Sequence, residues 1–246
     1  MRHMHERSGR FATRLWFDPG EIDQIMAHEL RKAGFYPTLD EPAVDIEGFL
    51  ERRLSPVVPD PVVLPSGVLG ETKFDGPKVV AVLIAKHLFD EATHDKVAER
   101  TLRSTLAHEG GHALLHPMLF DRGDESPGLF QVARRPPEGV LCRDVSAARD
   151  QGGSYTGEWF EYQANVAIGA LLTPRDVFVA TLDAFLDATG LRDRWTTPEG
   201  RARVEAHLVD RFNVGRQVVR IRLDEVAVPS AGQQRLLMPR RGGGRP

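Results

Sequence analysis

TLAHEGGHALLHP, residues 105–117, sets His108, His112 and His116 four residues apart and puts Glu109 directly after the first. Upstream, Ala98, Leu102, Thr105 and Leu106 form an apolar stripe at helical spacing, and Pro117 ends it by clashing with the preceding turn. Residues 96–116 therefore read as one helix. On it His108 and His112 are i and i+4, so their rings leave adjacent turns on the same side and can reach one tetrahedral ion at about 2.0–2.1 Å each. His116 lies roughly 12 Å along the axis from His108, too far to share that ion. It reads as packing at the helix end, or as a hydrogen-bond partner of a ligand. Glu109 stands about 100° round the helix from His108, beside the ion rather than under it. In an H-E-x-x-H arrangement such a carboxylate takes a proton from the water on the metal and later passes it to the leaving amine. A plainer reading makes these histidines ordinary core or surface residues. Gly110 and Gly111 speak against it: each costs a helix interior about 1 kcal/mol relative to alanine, which predicts a close neighbour, either a substrate chain or a packed second helix.

A catalytic zinc site takes three protein ligands. EWFEYQANVAIGALLTP, residues 158–174, reads as a second helix with Glu161, Asn165, Ile168 and Leu172 on one face. Glu161 can supply the third ligand, and Asn165, one turn on, can hydrogen-bond a ligand and fix its orientation. Glu158, one turn before Glu161, competes with it, and pattern alone does not separate the two.

Outward from these helices, DPGE at 18–21 is a helix start: Asp18 caps, Pro19 takes the first position and Glu21 completes a capping box. That helix should stop at Gly34. A second should run from Asp45 with Ile46, Phe49, Leu50 and Leu54 on one face. The prolines of SPVVPDPVVLP confine any strand there to a sheet edge. SGVLGETKF and KVVAVLI read as a strand pair turned through Asp75-Gly76-Pro77. The whole chain has 246 residues and a formal charge of −3, so its balance demands neither nucleic acid nor a membrane. The first twenty residues lack the apolar region of a signal peptide, and no stretch approaches the roughly 18 apolar residues of a membrane span. Cys142 is the single cysteine, which excludes an internal disulfide or a cysteine zinc knuckle and suits a reducing cytoplasm.

RSTLAHEGGHALLH followed by EYQANVAIGALLTP resembles the ImmA/IrrE family of zinc metallopeptidases, in which an H-E-x-x-H helix precedes a helix reading E-x-x-A-N. PAVDIEGFLERRL and GVLGETKFDGPKVVAVL resemble the family's upstream helix and strand pair. Likeness extends over about residues 20–225, with the two helices as its specific part. The sequence departs from the family across the middle pair of the motif, where Leu-Gly is usual, at Thr173, where Met is common, and at Ile168-Gly169. None of these removes a ligand. The resemblance implies a zincin-like α+β fold with a small sheet packed on the H-E-x-x-H helix, His108, His112 and Glu161 as metal ligands, and Glu109 as general base. It thereby chooses Glu161 over Glu158. Zn2+ is the implied ion, although two imidazoles and a carboxylate also accommodate Mn2+. The implied substrate is a protein, a helix-turn-helix repressor of transcription, cut in stress response or mobile-element control.

Residues 117–157, rich in Gly, Pro, Arg and Asp, read as a long excursion beside the site. In it Cys142 reads as a small buried apolar residue and Tyr155 as surface, with a donor to a tetrahedral oxyanion as the alternative for Tyr155. TPRDVFVATLDAFLDATG reads as a helix capped by Thr173, begun by Pro174 and stopped by Gly190, and another helix should start from Thr197. LVDRFNVGRQVVRIRL, residues 208–223, resembles a helix-turn-helix, with Arg216, Gln217, Arg220 and Arg222 available to phosphates or base edges. The expected organisation is a flexible 1–17, a peptidase domain over 18–190, a helical subdomain over 191–228 and a disordered basic tail over 229–246. The alternative to a peptidase is a DNA-binding or sensor protein that uses the 208–223 segment and keeps the metal site as scaffold.

Overall fold

The structure, a computed structural model, describes residues 2–5, 13–121, 138–143 and 158–227. It is α+β. The strands are β1 (Arg2–His5), β2 (Thr13–Trp16), β3 (Pro59–Val62), β4 (Val68–Asp75), β5 (Lys78–Ala85) and β6 (Glu138–Arg143). The helices are α1 (Pro19–Ala33), α2 (Ile46–Leu54), α3 (Lys86–Ala92), α4 (Lys96–Leu115), α5 (Trp159–Leu172), α6 (Arg175–Thr189), α7 (Pro198–Phe212) and α8 (Arg216–Ala227), with a 3-10 turn at Pro117–Phe120. Strands β3 to β6 form one mixed sheet in the order β3-β5-β4-β6, with β3 parallel to β5 and the other pairs antiparallel. β3, with its two prolines, is at the edge, where missing donors cost nothing.

Helix ends follow their local chemistry. α1 starts in a capping box between Asp18 and Glu21 and stops at Gly34, whose φ of 81° is left-handed. Asp45 accepts from the Gly48 amide at the start of α2, and Thr197 accepts from the Gly200 amide at the start of α7. α6 differs from expectation. It begins after Pro174, because Thr173 belongs to the end of α5 and donates its hydroxyl back to the Gly169 carbonyl at 2.7 Å.

α4 is the hub. The sheet packs on it through β4, α5 lies along it, and α2 and α3 close its remaining sides. Two glycines set the spacing. A Cβ on Gly111 would stand 2.8 Å from the Ala167 Cβ on α5, and one on Gly110 would stand 2.8 Å from Leu50 Cδ2 on α2. The neighbour that Gly110 and Gly111 imply is thus a pair of packed helices. One hydrophobic cluster runs from Leu15 and Phe17 through Phe49, Phe74, Leu106 and Leu171 to Phe178, Phe212 and Leu223.

The expected flexible lead-in of residues 1–17 is corrected in part: β1 pairs antiparallel with β2, and Leu15 and Phe17 are buried while Trp16 between them faces outward onto Tyr162. Period-two burial of this kind anchors a strand. The 117–157 excursion also contains an element, β6, which continues the sheet beyond β4 and pairs Cys142 with Gly70. Tyr155 and the 229–246 tail lie outside the described residues. Among the described residues no single helix is long and apolar enough to cross a membrane.

Candidate metal centre

α4 brings His108 and His112 to one side, one turn apart, and α5 lays Glu161 across from them. The two ring nitrogens and the two carboxylate oxygens lie close together: His108 Nε2 to His112 Nε2 is 3.0 Å, His108 Nε2 to Glu161 Oε2 is 3.2 Å, and His112 Nε2 to Glu161 Oε1 is 3.4 Å. A tetrahedral ion with bonds of about 2.0–2.1 Å separates its ligand atoms by about 3.3 Å, so the donor set fits such an ion. Glu158 is not in the group; it is the exposed N-cap residue of α5, a turn away.

Hydrogen bonds behind the rings agree with that fit. His108 Nδ1 is 3.2 Å from Asn165 Oδ1, an atom that only accepts, so the ring proton sits on Nδ1 and Nε2 keeps its lone pair. Asn165 thus occupies the orienting position expected of it. Burial alone would raise the Glu161 carboxyl, but the two imidazoles that face it reverse the shift and hold it below the usual carboxylate range. It is a carboxylate at neutral pH.

Glu109 is fully buried on the sheet side of α4. The Thr72 hydroxyl donates to its Oε2, and its Oε1 has no hydrogen-bond partner among the described residues. Gly70 clears the room for that oxygen: a Cβ there would lie 2.5 Å from Oε1. Burial pushes the Glu109 carboxyl up to about 8 in the metal-free protein, with His108 and the Thr72 hydroxyl pulling the other way. Thr72 and Gly70 were not visible as site residues in the sequence. The usable signal was phase: residues 68, 70, 72 and 74 of β4 face inward, so a threonine and a glycine in that row need a polar or close neighbour.

His116 does not reach toward the group. It is fully buried, its Nδ1 is 3.0 Å from His112 Nδ1, and its Nε2 is 3.1 Å from Gln163 Oε1. Burial first, and the nearby His112 second, push its pKa down to about 3, so it is neutral. Of the two expected arrangements it takes the hydrogen bond, here to His112.

Farther along the chain α7, the 213–215 turn and α8 form the expected helix-turn-helix outline, with Val219 and Leu223 buried. The expected availability of its cations is corrected. Arg222 is 3% exposed and forks onto Asp23 of α1 at 2.8 and 3.0 Å, with Glu225 at 2.7 Å. Arg220 donates to Glu205 at 3.0 Å. Arg216 and Gln217 remain exposed. Two of the four residues are thus committed to internal ion pairs, because α8 turns its arginine row partly toward α1 and α7.

No family model, no curated protein and no solved structure matches this chain.

Proposed function

We propose that the chain is a zincin-like zinc endopeptidase of the ImmA/IrrE type that hydrolyses a peptide bond in a protein substrate, a repressor-type regulator of transcription. One observation carries the reading: three donors of the right chemistry lie 3.0–3.4 Å apart beside a buried carboxylate with an unpartnered oxygen. His108, His112 and Glu161 would hold the ion. When bound it supplies Lewis acidity, which polarises a peptide carbonyl and makes water acidic near neutral pH.

The chain's own residues do the rest. Glu109 receives the proton of the attacking water and delivers it to the amine nitrogen as the C–N bond breaks. A cation bound beside it would lower the Glu109 pKa from about 8 and favour the ionised form that accepts a proton. Thr72 holds one carboxylate oxygen and leaves the other for the proton. Asn165 fixes the His108 ring. The substrate class follows from the sequence resemblance. Incubation of the zinc-loaded protein with a helix-turn-helix repressor encoded beside its gene tests it: cleavage by the parent chain and none by Glu109→Gln, with zinc content equal in both, supports the proposal. Equal cleavage by the two proteins would refute the role of Glu109, and no cleavage by either would refute the substrate class.

A further inference from the structure

We infer that Gln163 and His116 are positioning residues, a hydrogen-bond relay that anchors His112 to strand β2 and fixes the ring so that Nε2, not Nδ1, is the ligand atom. The direction of every bond in the relay follows from its first member. The Leu15 carbonyl can only accept, and Gln163 Nε2 donates to it at 3.0 Å. The Gln163 amide is thereby oriented, with Oε1 turned to His116 Nε2 at 3.1 Å. An amide oxygen only accepts, so His116 carries its proton on Nε2.

His116 is completely buried, and its ring neighbours are His112, Trp159 and Phe160. A cation in such surroundings costs several kcal/mol unless an anion pairs with it, so the ring is neutral and its Nδ1 presents a lone pair. The only group facing that lone pair among the described residues is His112 Nδ1 at 3.0 Å, which must therefore be the donor. With its proton on Nδ1, His112 directs the Nε2 lone pair at the Glu161 side of the site. His108 reaches the same state by a shorter route, through Asn165. α5 thus supplies a ligand at 161 and orients both imidazoles, one directly from 165 and one from 163 through His116. Gln163 leaves α5 about 200° round from Glu161, which is why an intermediary on α4 is needed.

The relay also gives β2 a part in the site. A backbone carbonyl on that strand is the fixed point from which the orientation of a ligand is set, though β2 contributes no side chain to the group. This consequence for metal binding rests on the metal-site reading, whereas the tautomers do not.

Long-range proton–nitrogen NMR on chain with 15N-labelled histidine, stripped of metal and held at about pH 8, reads each ring directly. The relay predicts the Nδ1–H tautomer for His112 and the Nε2–H tautomer for His116. Gln163→Leu and His116→Phe, each keeping similar bulk, should lose the single His112 tautomer and bind zinc about 10–100-fold more weakly in chelator competition, with the far-ultraviolet circular dichroism of the parent. An Nε2–H tautomer at His112 in the parent chain would overturn the relay, and unchanged zinc affinity in a folded His116→Phe protein would overturn its positioning role. Failure of the parent chain itself to bind zinc would instead refute the metal site, and the tautomers would still decide the relay.

Discussion

Two regions carry suggestive polar residues at helical spacing, and they resolve in opposite ways. In the α4–α5 region Nδ1 of His108 and of His112 is engaged behind each ring, by Asn165 and by His116, and the two Nε2 atoms and the Glu161 oxygens face one another 3.0–3.4 Å apart. In the α7–α8 region the arginines meet acids of the same molecule: Arg222 meets Asp23 and Glu225, and Arg220 and Arg201 meet Glu205. The first set of atoms could hold a cation, while the second pairs its charges within the molecule. Convergence of ligand-type atoms on one point, not the mere presence of polar residues, separates a candidate site from a strut.

Removal of the proton carrier has the largest expected effect: Glu109→Gln should lower the rate of substrate cleavage by about 10²–10⁴-fold without loss of bound zinc, as read by cleavage kinetics beside elemental analysis. On the other side Arg222→Ala leaves Asp23 and Glu225 without their partner and should cost about 3–5 kcal/mol in urea unfolding. A cost near zero would mean that the α8 fork is no strut. Gly111→Ala, whose new Cβ would meet Ala167 at 2.8 Å, should cost about 1–3 kcal/mol and weaken zinc binding by spreading α4 from α5.

A smaller effect is tied to pH. Burial holds the folded-state pKa of Glu109 at about 8, above the ordinary carboxyl value of 4.5, so the metal-free folded chain keeps a proton there that the unfolded chain releases. Its contribution is complete below about pH 4.5 and is lost as pH rises through about 8, by no more than about 1.4 kcal/mol per pH unit. Thermal melts of the metal-free protein should fall across that window, and Glu109→Gln should flatten the fall. Least of all, Arg216→Ala, exposed on α8, should change stability by under about 0.5 kcal/mol and leave zinc binding alone.

Much of this was legible in the sequence because it is local. The cap at Asp18, the stop at Gly34, the edge strand at Pro59–Val62 and the helix carrying His108 and His112 are all decided within a few residues of chain. Gly110 and Gly111 announced a close neighbour, since two glycines weaken a helix unless space is needed. What could not be read is set by contacts across the fold. Thr72 and Gly70 reach Glu109 from 37 and 39 positions away, and nothing in β4 beyond its inward phase marks them. Leu15 takes part through its carbonyl, which no side-chain pattern encodes. Arg222 looked free because its partner, Asp23, lies 199 residues earlier. A basic residue on a helix face carries no sign, in sequence, of the acid it will find.

Zinc content per chain is the most direct test of the central claim that His108, His112 and Glu161 converge on one ion. After equilibration with limiting free zinc and removal of the excess, the parent chain and Glu109→Gln should each retain one equivalent, and His112→Ala and Glu161→Ala should retain essentially none while staying folded. Retention of a full equivalent by either of the last two proteins, or no retention by the parent chain, would contradict the account.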